Sequence, residues 1–322
     1  MLRPLVQVRN LKKYFPLKGR WFRRSSLFTK AVNDVNIEIC PSEIYGLVGE
    51  SGSGKTTLGR LILRLVEPTE GNVYFNGTDI FALKDLREFR VKTSMIFQNP
   101  LASLNPTKTI GHIVSQPYLI HRSLNRKEAK DEALALLERV GLSPPEKFIN
   151  RYPHELSGGQ RQRVTIARSV ALTPSFIVAD EPVSALDLSI QAQILELLKE
   201  LHMKGGISFL FITHDLAVVR SLCTKTAIMY LGKIVEVATT EALFSNPLSP
   251  YTQTLMASVP VPNPRRVRKE PLIKDVVLSS IASPSGCQFY PRCTDAKPEC
   301  QKVEPQLVEI DNDHLVSCLL YS

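Results

Sequence analysis

Gly49-Glu-Ser-Gly-Ser-Gly54-Lys55-Thr56 fits every fixed position of G-x-x-x-x-G-K-[ST]. The chemistry of that pattern is phosphate binding. Glycines let backbone N–H groups curl around phosphate oxygens, and the following helix points its positive end at them. Lys55 is placed to reach the β- and γ-phosphates of ATP, and the Thr56 hydroxyl to ligate Mg²⁺. Ser51, Gly52 and Thr57 complete the expected nucleotide contacts. A second signal is Phe176-Ile-Val-Ala-Asp180-Glu181, an apolar run ending in two carboxylates. A carboxylate there is costly unless a cation compensates it. Asp180 is therefore expected to support Mg²⁺, and Glu181 to polarise an attacking water. His214 follows another apolar run, Ser208–Thr213, where ligand sites of open α/β sheets lie. It is a candidate γ-phosphate contact, although a lone histidine is often structural.

These residues need strands and helices to hold them. Ile44–Val48 reads as a buried strand before the glycine loop, and Thr56–Leu65 as the helix after it, ended by Pro68 and Gly71. Val6–Val8 alternates like an edge strand, and Pro16–Thr29 reads as a basic, aromatic loop insertion. Lys127–Val140 has the pattern of an amphipathic helix closed by Gly141. Helix Gly158–Ala171, strand Phe176–Ala179, helix Ile190–Met203, strand Ser208–Thr213 and helix Leu216–Ser221 follow. The alternation predicts an α/β fold with a mostly parallel, covered sheet. The expected organisation is an ATP-binding core over 1–98 and 157–245 with a helical subdomain inserted at 99–156. A proline-rich connector then opens a small cysteine-rich extension over 246–322.

The chain has 322 residues, 43% of them hydrophobic, enough for a large core. No apolar run approaches the ~18–20 residues that span a bilayer, and the start lacks a signal-peptide core, so a cytosolic protein is expected. The net charge of +9 is compatible with nucleic acid, an anionic membrane surface or nucleotide. Its densest clusters, Lys12–Lys13, Arg20–Arg24 and Arg265–Lys269, read as solvated surface, without the interleaved aromatics of a single-strand binding platform.

Leu156-Ser157-Gly158-Gly159-Gln160 resembles the signature of the ATP-binding-cassette ATPases. The resemblance implies a P-loop ATPase core that dimerises head to tail. Ser157, Gly158, Gly159 and Gln160 then close over ATP held by the partner subunit. Gln98 resembles the Q-loop residue that senses Mg²⁺ and couples to a membrane partner. Ser184–Asp187 looks like the D-loop, and His214 matches the switch histidine. An aromatic near the start usually stacks on adenine: Phe15 is the candidate, with Tyr14 the alternative. Phe97–Pro106 and Asn246–Leu255 are similar to the oligopeptide/dipeptide importer branch, and Leu11–Pro16 with Leu58–Arg60 to its F-type ATPase subunit. The resemblance implies a paired D-type ATPase, two membrane permeases, an external substrate-binding protein and a place on the cytoplasmic face of the membrane. A soluble cassette ATPase acting on nucleic acid or ribosomes is the alternative.

Six cysteines are present. Cys40 and Cys223 stand in apolar segments and read as small hydrophobes. Cys287, Cys293, Cys300 and Cys318 are separated by five, six and seventeen residues. Four thiolates suit zinc or a [4Fe–4S] cluster, and the C-x₂-C turns usual in zinc ribbons are absent. The segment resembles the cluster-binding tail of the importer branch, which implies the [4Fe–4S] cluster, with zinc as the alternative. A redox-sensing role for that tail is a further reading.

Overall fold

The computed structural model describes residues 3–16, 28–257, 286–311 and 313–321. The basic cluster Arg20–Arg24 and the connector from residue 258, with Arg265–Lys269, lie outside them. Twelve strands occur among the described residues. They are β1 (Val6–Pro16), β2 (Phe28–Ile39), β3 (Ile44–Val48), β4 (Glu70–Phe75), β5 (Thr78–Asp79) and β6 (Thr93–Ile96), then β7 (Phe176–Asp180), β8 (Ser208–Thr213), β9 (Lys225–Tyr230), β10 (Lys233–Thr239), β11 (Val308–Asp311) and β12 (His314–Val316). The chain divides into two units. The first is Met1–Cys40, Tyr45–Phe81 and Ile212–Ser322; the second is Pro41–Ile44 and Ala82–Phe211.

The first unit holds an antiparallel sheet in the order β2-β1-β4-β5. Val6 and Val8 lie opposite Ile39 and Ile37 on one side, and Phe75 and Val73 on the other. Their shared face is buried. The alternation at Val6–Val8 therefore marks an interior strand, not an edge. Both strands also reach into the expected loop insertion, β1 to Pro16 and β2 from Phe28. Register shifts in β1 break its period, which is why composition reads as loop there.

A second run in this unit is ordered β11-β12-β10-β9-β3. Only its β3–β9 pair is parallel; β9–β10, β10–β12 and β11–β12 are antiparallel. The sheet is thus mixed, which corrects the expectation of a mostly parallel one. The physical cause is the hairpin at Leu231-Gly232, where both residues have positive φ, 43° and 89°. Such a turn reverses the chain with the twist that antiparallel strands need. Leucine is a poor signal for it, so the sequence concealed it. The C-terminal residues, expected as a small extension, join this run through β12, which pairs with β10. A buried carboxylate anchors them. Glu236 is fully buried and accepts from the Leu248 and Ser249 N–H groups at 2.8 and 2.9 Å. Its Oε1 lies 2.8 Å from His314 Nε2.

In the second unit β6 and β7 pair in parallel, with Thr93 opposite Phe176 and Ile96 opposite Ala179. Helix Arg126–Arg139 buries Ala129, Ala133, Leu136 and Leu137, one face of a 3.6-residue period. Asn125 and Glu128 form a capping box at its start, and Gly141 follows its end with φ 78°. Helix Leu188–Gly205 is capped by Asp187, whose Oδ1 accepts from Ile190 N–H at 3.0 Å and Ser189 Oγ at 2.8 Å. The backbone bond from Ile190, with that from Ser189, lowers the Asp187 pKa.

Glu236→Ala strips the acceptor from two buried N–H groups and from His314. It is expected to destabilise the protein by about 2–5 kcal/mol, read by denaturant unfolding.

Candidate active site

In the first unit, β3 delivers the chain into the glycine loop, and helix Lys55–Ile62 starts immediately after Gly54. The loop is wound about its own lysine. Lys55 is 6% exposed, and its Nζ donates to the Gly49 and Glu50 carbonyls at 2.7 and 2.8 Å and to Ser53 Oγ at 3.3 Å. Two glycines are required by space. A Cβ on Gly49 would lie 2.1 Å from the Met229 carbonyl oxygen, and one on Gly54 1.9 Å from that of Ala31. Gly54 also has φ 105°. Gly52 has φ 80° but open space around it. The Ser53 carbonyl accepts from Gly232 N–H at 2.8 Å, tying the loop to the β9–β10 hairpin.

Ser51, Thr56 and Thr57 lie at the rim and first turn of this loop. His214 is exposed just past the end of β8, in the same unit. Phe15 is 40% exposed, with Lys13 Nζ 5.1 Å from its ring centroid. Tyr14 is half-buried and donates its hydroxyl to Asn33 Oδ1 at 2.6 Å, so Phe15 has the more available ring.

The second unit brings Gln98 and Glu181 together: Gln98 Nε2 donates to Glu181 Oε2 at 2.9 Å. Asp180 is 2% exposed at the end of β7. Glu181 follows with φ 45°, a left-handed conformation that strains a residue with a side chain. Ser157 and Gln160 form a capping box on helix Gly158–Val170. Gln160 Oε1 accepts from Ser157 N–H at 3.0 Å, and Gln160 N–H donates to Ser157 Oγ at 3.3 Å. A Cβ on Gly159 would meet Ile190 Cγ2 at 2.6 Å, so the Ile190 side chain of helix Leu188–Gly205 lies directly against the start of helix Gly158–Val170.

Cys287, Cys293, Cys300 and Cys318 line one cavity in the first unit, together with Gln288 and Asp295. The Cys287 N–H donates to the Cys300 carbonyl at 2.8 Å. Burial pushes the thiols of Cys287 and Cys318 up, and that of Cys293 up to about 11. Gln288 Oε1 is buried without a hydrogen-bond partner among the described residues. No group of three or more His, Cys, Asp or Glu is arranged around a single metal ion among the described residues.

Sequence reasoning passed over three residues of the loop's surroundings. Glu50 is bound by Arg292 and by Tyr251. No motif marks Arg292, which sits between cysteines that drew attention to themselves.

Residues 32–184 match the family described as ABC transporter, and residues 235–300 match the oligopeptide/dipeptide transporter C-terminal region. The oligopeptide transport ATP-binding protein AppF of Bacillus subtilis is 45% identical over 99% of this chain and 98% of its own. The oligopeptide transport ATP-binding protein OppF of Salmonella typhimurium is 46% identical over 98% of this chain and 96% of its own. This chain belongs to the ABC transporter ATP-binding proteins. A post-hydrolysis dimer of the ATP-binding cassette MJ0796 with ADP and Pi matches with TM-score 0.65 and 31% identity. It covers 73% of this chain and 98% of that cassette. As a member of the family this chain is an ATPase.

Gly54→Ala is expected to strain the loop by about 1–3 kcal/mol or more. It should weaken Mg-ATP binding by about tenfold or more in titration calorimetry, whereas Gly52→Ala, with open space, should cost less.

Proposed function

We propose that this chain powers peptide import by hydrolysing ATP on the cytoplasmic face of a membrane. The observation that carries the reading is end-to-end similarity to oligopeptide transport ATP-binding proteins, with Lys55 coiled in a ready phosphate loop. Among the described residues no helix is long and apolar enough to cross a membrane. In this reading the permease is a separate pair of chains, joined by a D-type ATPase subunit and an external binding protein. In this reading 1–98 with 157–245 is the nucleotide core, 99–156 the helical subdomain and 246–322 the cysteine-bearing extension.

Lys55 leaves its own carbonyls for the β- and γ-phosphates, an exchange of partners that keeps its charge satisfied. Ser51, Gly52, Gly54 and Thr57 donate to phosphate oxygens, and Phe15 stacks on adenine. Thr56, Gln98 and Asp180 would hold Mg²⁺, which neutralises charge on the phosphates. Glu181 accepts a hydrogen bond from the attacking water, and His214 contacts the γ-phosphate. The Gln98–Glu181 bond supports a link between the Q-loop and the catalytic carboxylate. The first-turn N–H groups at Gly158 and Gly159 point at the partner's ATP, with Ser157 and Gln160 holding the helix start and Asp187 capping the helix behind it. No observation favours a nucleic-acid target.

The tail holds a [4Fe–4S] cluster through Cys287, Cys293, Cys300 and Cys318. What supports the reading is that four thiols, the donor type such clusters use, wall one cavity. Zinc is the competing occupant. Anaerobically purified protein is expected to carry about four irons and about four sulfides per chain. Stoichiometric zinc without sulfide would replace the cluster by a zinc site.

Glu181→Gln is expected to lower steady-state ATP turnover by at least about 100-fold while nucleotide affinity stays near wild type. Near-normal phosphate release would remove Glu181 from the role of base.

A further inference from the structure

The C-terminal region grips the phosphate loop at its second residue. The Glu50 carboxylate takes both ends of the Arg292 guanidinium, Nη1 to Oε2 at 2.9 Å and Nη2 to Oε1 at 2.8 Å. The Glu50 N–H donates to Tyr251 Oη at 3.1 Å. The Glu50 carbonyl is one of the acceptors of Lys55 Nζ. One residue thus joins the phosphate-binding ammonium to two side chains that lie about 200 residues or more further along the chain.

Both side chains are themselves held. Tyr251 is 1% exposed and packs against Tyr230 and Phe289, with ring centroids 4.5 and 5.3 Å apart. The Arg292 guanidinium lies 5.9 and 5.7 Å from the Tyr230 and Phe289 centroids. Its side chain is 15% exposed. An exposed single-contact ion pair contributes little, but a two-pronged fork between packed aromatics fixes direction as well as charge. Arg292 ends the turn Tyr290–Arg292, immediately before Cys293. That turn is closed by Tyr290 N–H to the Cys287 carbonyl at 3.1 Å and Cys293 N–H to the Phe289 carbonyl at 3.0 Å. The wall of the cysteine cavity and the grip on Glu50 are the same turn.

We propose that Arg292 is a positioning residue for the phosphate loop: through its fork to Glu50, backed by Tyr251, it sets the loop that carries Lys55. The proposal rests on reading Gly49–Thr56 as the nucleotide site. A merely structural arginine would alter unfolding and leave nucleotide affinity alone.

The test is a double-mutant cycle on the full chain, with affinity for a non-hydrolysable Mg-ATP analogue measured by calorimetry. Arg292→Ala and Glu50→Gln are each expected to weaken binding by about tenfold, and the double variant by no more than either alone. Arg292→Lys, a point charge without the fork, should recover only part of the loss. Wild-type affinity in Arg292→Ala, or additive losses in the double variant, would overturn the proposal. If Arg292→Ala does not fold, unchanged affinity in Glu50→Gln overturns it equally. Lys55→Ala separates the two readings: if it binds as tightly as wild type, the loop assignment itself fails.

Discussion

A buried ammonium must be surrounded by acceptors, and the glycine loop is built to supply them. Lys55 has its charge met by carbonyls of Gly49 and Glu50 only because the backbone curls back on itself. That curl forces a left-handed Gly54 against the Ala31 carbonyl and a bare Gly49 against the Met229 carbonyl. β3 before the loop and β9 beside it are apolar and buried, so the loop is held on a rigid base. In the proposed reading, nucleotide binding exchanges acceptors around a charge already desolvated.

The second unit spends strain where the first spends space. Glu181 holds a left-handed backbone at the end of a fully buried strand, and Gln98 meets its carboxylate there. Positions of this kind persist only when the surroundings over-determine them. The segments that resemble the signature and the D-loop work differently: Ser157, Gln160 and Asp187 are helix caps before they are anything else. Two helix starts are thereby fixed in place, and Gly159 lets them approach closely.

Much of this was legible. Ile44–Val48 and Ser208–Thr213 were bounded correctly because uniformly apolar runs between polar turns have one solution. The helix read at Lys127–Val140 lies at Arg126–Arg139, since its face repeats every 3.6 residues. The phosphate loop was plain because its residue types are each needed by geometry. Less legible were β1 and β2, whose register shifts hide the period, and the antiparallel strands after β9, whose turn begins with leucine. The cysteine positions were visible, but their convergence on one cavity was a matter of folding.

The sequence by itself determined that this chain binds a nucleoside triphosphate and to which ATPase family it belongs. Those properties live in short contiguous segments, Gly49–Thr56 and Leu156–Gln160, where spacing along the chain equals spacing in space. Only the tertiary structure decided that the tail adds strands to the first unit and that Arg292 and Tyr251 hold Glu50. Contacts across such separations leave no periodic trace, because each depends on where the rest of the chain has already packed.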